Sequence, residues 1–250
     1  MRKVYGAVQG SHLGDLWLIA SGAMRLSHSQ GQPIYLSRYA FDERTFEPVY
    51  SEDFGLILNQ CIAELEFDGA QVVVTDQPQN QHQQLERTFT IPFSAYYCSA
   101  PPLPTKQKRV IDPPVRQIAI QMESLIYTDG AYRESLTNWL AEYRDCQPGF
   151  LLETYRLLLC LNSYSAKIVG KHQGPLSNSI KTICESRIFV GIDSGMSHIA
   201  TSVGVPVYLF EWTHQEQPEL NVSQWHKNKS VGTFRTIADL KAILEDHGVS

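Results

Sequence analysis

Two rhythms of apolar residues alternate along this chain. "KVYGAVQG" is a short apolar run ending in glycine, which predicts a strand. After a polar turn, "DLWLIASGAMRLSHSQ" places Leu16, Ile19, Ala20, Ala23 and Met24 at helical spacing. Asp15 falls where that strand gives way to the first turn of the helix. "QPIYLSRY" reads as a second strand, "DFGLILNQCIAELEF" as a helix, Asp68-Gly69 as a turn, and "AQVVVTD" as a third strand rich in β-branched residues. Strand, helix, strand, helix, strand is the order that builds a parallel sheet, because parallel neighbours need a crossover long enough to hold a helix.

The rhythm breaks after Asp76. "QPQNQHQQ" is a polar, glutamine-rich tract that predicts a surface loop, "FTIPFSAYYCSA" is aromatic-rich and fits neither period, and "APPLPTKQKRVIDPPV" carries Pro101, Pro102, Pro104, Pro113 and Pro114. Each proline removes a backbone donor and fixes one dihedral, so this density predicts a stiff, extended connector. The chain therefore divides into a first half at 1–100, a linker at 101–114 and a second half at 115–250. The last helix either stays with that second half or packs back on the first.

Beyond the linker the alternation resumes. "RQIAIQME" is a strand, "YRESLTNWLAEYRD" and "FLLETYRLLLCLN" are helices, and "SAKIVG" is a strand. "LSNSIKTICES" is a helix, "RIFVGI" a strand, "MSHIATSVG" a short helix and "VPVYLF" a strand. "TIADLKAILEDHG" is a closing helix with Thr236 or Asp239 as its cap. The fold class is α/β, in two halves.

Composition narrows the setting. With 250 residues, 43% of them hydrophobic, the chain can fill one large core or two small ones without cross-links. Cys61, Cys98, Cys146, Cys160 and Cys184 are odd in number, widely spread and without a CxxC pair, which fits a reducing compartment. The opening "MRKVYGAVQGSHLGD" lacks the continuous apolar core of a signal peptide and no run approaches membrane-spanning length, so a cytoplasmic location is expected. A net charge of -5 argues against broad nucleic-acid binding. The basic segment "PTKQKRV" is then a solvated linker or a local contact.

The chemistry gathers in "RIFVGIDSGMSHIATSVGVPVYLFEW", where Asp193, Ser194, Gly195 and His198 sit between two apolar runs. If the first run is a strand and Ser197 begins the helix that follows, the turn collects the unpaired N–H groups and partial positive charge of a helix start, which attract phosphate or carboxylate. Gly195 lets a ligand approach the backbone, Ser194 and Ser197 add hydroxyl donors, and His198 donates to a phosphate oxygen. The same residues have a plainer reading, in which Asp193 and Ser197 cap the helix and His198 is packed.

"FVGIDSGMSHIATSVGVPVYLF" closely resembles the nucleotide-sugar-binding segment of the heptosyltransferase-like glycosyltransferases, typified by ADP-heptose:lipopolysaccharide heptosyltransferases. The matching positions are Asp193, Ser194, Gly195, His198, Ala200, Gly204 and Pro206. "GSHLGDLWLIASGAMRL" resembles the family's amino-terminal loop, with Gly14 and Asp15 as its Gly-Asp pair. The resemblance implies a shortened GT-B architecture, two Rossmann-like α/β domains facing across a cleft, the first binding acceptor and the second binding the nucleotide-sugar donor. It also implies that Asp15 is the base for the acceptor hydroxyl and that Ser194, Gly195 and His198 bind the diphosphate.

Sugar transfer needs a base within reach of a hydroxyl and donors for the departing diphosphate. His12 stands near Asp15 as a second loop candidate. The chain has no D-x-D pair to hold a divalent ion against the diphosphate, so a metal-independent reaction without cofactors is expected, with helix amides and basic side chains neutralising charge. Where the family places a Lys or Arg after the first strand of the second domain, this chain offers Arg133. Where the family carries an acidic residue after the "IVG" strand, it has Lys171 and His172. Tyr132 and Trp212 are candidates to stack a base. The trimmed acceptor half suits a glycan or a macromolecule such as a hydroxylated base in phage DNA, with "PTKQKRV" and "FSAYY" as contacts. Two other functions fit the same residues: a nucleotide-sugar epimerase or hydrolase, and a non-catalytic nucleotide-binding protein. No P-loop, G-x-G-x-x-G, H-E-x-x-H or G-x-S-x-G motif is present. The oligomeric state is left open.

Overall fold

A computed structural model describes residues 2–7, 13–42, 45, 47–80, 103–113, 117–121, 166–170, 174–191, 194–210, 231–234 and 236–249. The chain is mixed α/β and divides into two compact units: Met1–Lys108 with Ser202–Gly204, and Arg109–Thr201 with Val205–Ser250.

In the first unit, β1 (Val4–Tyr5), β2 (Ile34–Ser37) and β5 (Val72–Thr75) form a parallel sheet in the order β1-β2-β5. Helix α1 (Leu13–Gln30) joins β1 to β2, and α2 (Glu52–Glu64) precedes β5. Residues Leu16 to Met24 of α1 are buried on every face. A helix apolar all round belongs in the middle of a core, and α1 packs on α2, β2 and β5. Trp17 sits at its centre, and its indole N–H donates to Ser202 Oγ at 2.9 Å. A buried Trp needs such an acceptor for its one polar atom.

"QPIYLSRY" is not one strand. It ends at Ser37, and Tyr39–Phe41 (β3) pairs antiparallel with Pro48–Tyr50 (β4), a hairpin absent from the sequence reading. The Ser37 hydroxyl marks the break by accepting the Tyr39 N–H at 3.0 Å while donating to Gln77 O at 2.6 Å. Ser51 caps α2 by accepting the Phe54 N–H.

At its other end α2 leads into the linker, which is pinned along the part described. Leu65 and Thr105 form a β-bridge, flanked by Glu66 N–H to Pro104 O at 2.8 Å and Lys106 N–H to Glu64 O at 2.9 Å. Lys108, expected to be solvated or to meet a ligand, pairs with Glu66 at 2.7 Å. Glu64 Oε2 is buried without a hydrogen bond, and burial raises the pKa of that carboxyl, with Lys106 pulling the other way.

Among the described residues the second unit holds five parallel strands: β6 (Ile118–Gln121), β7 (Ala166–Ile168), β8 (Ile188–Gly191), β9 (Val207–Phe210) and β10 (Val231–Phe234), in the order β10-β9-β8-β6-β7. β10 went unread in the sequence. Helices α3 (Leu176–Cys184), α4 (Gly195–Ser202) and α5 (Ile237–Asp246) lie among them. Strands β6 and β8 are buried at all four positions, as parallel strands covered on both faces must be.

Period-two alternation divides the two faces of this sheet. Ile118, Ile120, Ile188 and Val190 share one core with Leu240 and Leu244 of α5, while Ala119 and Phe189 point the other way. Thr236 and Asp239 both cap α5, each side chain accepting the other's backbone N–H. Just past α5, the Tyr208 hydroxyl meets His247 Nε2 at 2.7 Å. Burial lowers the imidazole pKa and raises that of the phenol, so both groups favour their neutral forms, and the imidazole tautomer sets which of them donates.

The helices expected at "YRESLTNWLAEYRD" and "FLLETYRLLLCLN", the "FSAYY" stretch and residues 81–84 of the glutamine-rich tract lie outside the described residues, while the start of that tract is held against the first sheet, with Gln79 buried and Asn80 Oδ1 accepting the Val4 N–H at 2.8 Å. Among the described residues no helix is long and apolar enough to cross a membrane.

Candidate functional site

Counted along the second unit, the strand order β7-β6-β8-β9-β10 is 2-1-3-4-5. The direction of winding reverses between β6 and β8. In open parallel sheets of this kind the connections leave those two strands toward opposite sides, and a crevice opens at their carboxyl ends. Gln121 ends β6 directly opposite Gly191, which ends β8. A Cβ on Gly191 would lie 2.4 Å from Gln121 O and 3.0 Å from Phe189 Cε1, so only glycine lets the two strand ends meet here.

From that point the chain enters α4. The helix begins at Gly195, two residues earlier than expected, with Ser194 at the cap position and Ser197 as its third residue. Ser194 and Ser197 bond reciprocally. The Ser194 N–H donates to Ser197 Oγ at 2.9 Å, the Ser197 N–H reaches Ser194 Oγ at 3.4 Å, and the Ser197 hydroxyl donates to Ser194 O at 2.7 Å. The Ser194 hydroxyl donates to Gln121 Oε1.

Each hydroxyl has one proton, and both protons are already placed on protein acceptors. In this arrangement the two serines build and orient the helix mouth. The N–H groups of Gly195 and Met196, the first two residues of α4, lie outside the intrahelical ladder and meet no acceptor among the described residues. They carry the positive end of the helix toward the carboxyl ends of β6 and β8.

His198 follows on the same first turn, only 8% exposed, with its N–H bonded to Ser194 O at 3.1 Å. Thr201 extends the pattern one turn further by donating to Ser197 O at 2.9 Å. The far end of α4 stops at Gly204, whose φ of 80° is the left-handed conformation, and the Val205 N–H closes back on Ala200 O at 3.1 Å. The glycine and the Pro206 that follows thus have local reasons to stand where the resemblance places them.

Ser194, Gly195, Ser197 and His198 stand together at the start of α4. Asp193, Lys171, Arg133, His12, Tyr132 and Trp212 lie outside the described residues. Gly14 and Asp15 are in the first unit, and Asp15 is the third residue of α1, in its first turn. Between Gly14 and Met24 it is the sole exposed position, a carboxylate in the first turn at the positive end of a buried helix. Gln121 was missed in the sequence. Its signal is slight: a polar residue closing an apolar strand, of the kind that also closes many strands without function.

No protein-family model matches the chain, and no curated protein matches its sequence. Among solved structures it is similar to the iron-containing dodecameric glycosyltransferase TibC of enterotoxigenic E. coli H10407, with 15% identity and a TM-score of 0.44. TibC bound to ADP-D-beta-D-heptose gives 13% identity and a TM-score of 0.44. Both alignments cover 90% of this chain, which spans 61% of the length of TibC. E. coli heptosyltransferase WaaC with ADP is 12% identical with a TM-score of 0.43, over 99% of this chain and 100% of that one.

TibC is described as iron-containing, which corrects the expectation of a reaction without metal or cofactor. A missing D-x-D pair removes one way of holding a divalent ion against a diphosphate and says nothing of iron bound by other ligands elsewhere. Among the described residues no group of three or more His, Cys, Asp and Glu side chains comes together as such a site would need.

Proposed function

We propose that this chain is a glycosyltransferase that moves a sugar from a nucleotide-diphosphate sugar to an acceptor hydroxyl. The observation that carries the reading is the position of the Ser194–His198 turn. The segment whose residues resemble a nucleotide-sugar site begins α4 beside the carboxyl ends of β6 and β8, where the strand order reverses. The second unit is then the donor side and the first the acceptor side.

In this reading Asp15 takes the proton from the acceptor hydroxyl as its oxygen attacks the anomeric carbon. The bond from that carbon to the diphosphate breaks, and the negative charge that grows on the diphosphate is met by the amides and dipole of α4. The exposure of Asp15 keeps its carboxylate accessible to an acceptor, which a buried cap would not be.

Two measurements test this. In a thermal-shift panel of nucleoside diphosphates and their sugar conjugates, a bound ligand at ~100 times its dissociation constant raises stability by about 2.7 kcal/mol. A flat response across the panel removes the donor site. With a responding donor in hand, Asp15→Asn is expected to lower turnover by roughly 100- to 10,000-fold while leaving the thermal shift in place. Undiminished turnover removes the assignment of the base.

A further inference from the structure

The structure assigns Gln121 as a ligand-binding residue of the crevice, its Nε2 amide donating to the diphosphate of the bound nucleotide. This rests on the donor-site reading above and supplies the side-chain donor that the two serines lack.

The argument begins with proton bookkeeping. Ser197 places its hydroxyl proton on Ser194 O, and Ser194 places its own on Gln121 Oε1. That second bond also fixes the orientation of the Gln121 carboxamide. With Oε1 taken up by Ser194, Nε2 and its two protons are turned to the other side of the group. Gln121 is 9% exposed, and among the described residues Nε2 has no acceptor.

The Nε2 atom is not one of the buried side-chain atoms left without a partner, so although the residue is nine-tenths buried its amide end keeps contact with solvent, where a ligand or water completes it. Ser194, which it bonds, is followed directly by the N–H groups of Gly195 and Met196, likewise donors without acceptors among the described residues. Three sets of donors beside the start of one helix suit a group that is acceptor-only and anionic, and a diphosphate is such a group. Gln121 is also well placed to be rigid: β6 is buried along its length, and the carbonyl of Gln121 packs against Gly191 so closely that no Cβ would fit between them.

The test uses the full chain and two probes, inorganic pyrophosphate and ADP, with binding measured calorimetrically on the wild type, Gln121→Glu and Gln121→Met. Gln121→Glu keeps an oxygen for the Ser194 hydroxyl and puts negative charge where the amide protons were. Gln121→Met keeps the volume without charge or donors. Both are expected to bind pyrophosphate and ADP more weakly, by about 10- to 100-fold for Gln121→Glu and by less for Gln121→Met.

If the wild type binds the probes and both variants bind them equally well, the role given to Gln121 is wrong and the donor site stands. Weakening in Gln121→Glu with none in Gln121→Met shows a nearby charge without donation and also overturns it. A wild type that binds neither probe removes the donor site itself, and Gln121's role with it.

Discussion

In the second unit β6 and β8 are buried at every position, whereas in the first β5 leaves Val73 43% exposed and β4 is exposed along its whole length. The sheets obey the same rule of parallel pairing but differ in what covers them. A strand held on both faces and by two neighbours has no direction in which to move, so an atom at its end is placed accurately. The crevice beside Gln121 and Ser194 stands on such strands. In the first unit the run Leu16 to Met24 of helix α1 is buried on every face, and the exposed Asp15 is borne by that helix and not by a sheet. The comparison teaches that one chain can prepare two chemical groups by two kinds of support.

The sharpest way to break this contrast is to hollow each sheet. Phe189→Ala, in the middle of β8, should cost about 3–5 kcal/mol in urea unfolding, and Val73→Ala under about 1 kcal/mol. Equal losses would mean that the two sheets are supported alike.

Glycines give a finer probe. A Cβ at Gly191 strikes backbone, the carbonyl of Gln121, while a Cβ at Gly55 in α2 meets only the side chain of Arg38 at 2.8 Å. Gly191→Ala should therefore destabilise by roughly 1–3 kcal/mol. Gly55→Ala should be near neutral, because Arg38 can swing aside and alanine favours the helix. A tolerated Gly191→Ala would show the strand ends to be further apart than they stand here.

The smallest effect is a difference in sign with pH. Burial lowers the His247 pKa, so the unfolded chain takes up that proton first, and stability is lost as pH falls from about 6.5 through the lower folded value. Burial raises the Glu64 pKa, so stability is fully present below about 4.5 and lost as pH rises through the higher folded value. Melting temperature followed against pH should show His247→Gln gaining on the wild type toward acid, and Glu64→Gln gaining as pH rises above that range. Matching slopes in the two variants would contradict the opposite placement of these groups.

Much of this was legible without coordinates. Periodicity marked α1, α2, α3, α5 and most strands, because each buries a face and burial imposes its own spacing. The motif around Ser194 was legible because capping residues, a glycine stop and a proline follow local rules. Local rules do not reach across the chain, and the misses lie there. The hairpin of β3 and β4 was run together with β2, since a single hydroxyl at Ser37 makes the break. The strand β10 reads Val-Gly-Thr-Phe, with a glycine and a threonine between its two apolar residues, so neither an apolar run nor a clean alternation marks it. The start of α4 lies two residues before the expected Ser197, because the first turn of a helix has no hydrogen bonds of its own to mark it.

The order of residues alone determined that this chain would make parallel sheets from alternating strands and helices, and that a small, donor-rich turn would follow "RIFVGI". Both follow from spacing and backbone chemistry within a few residues. Only the tertiary structure decided that β6 lies beside β8, that Gln121 takes the proton of a serine 73 residues away, and that the hydroxyls are consumed in building the mouth. A proton can be given once, and which acceptor receives it depends on what the folded chain brings within 3 Å.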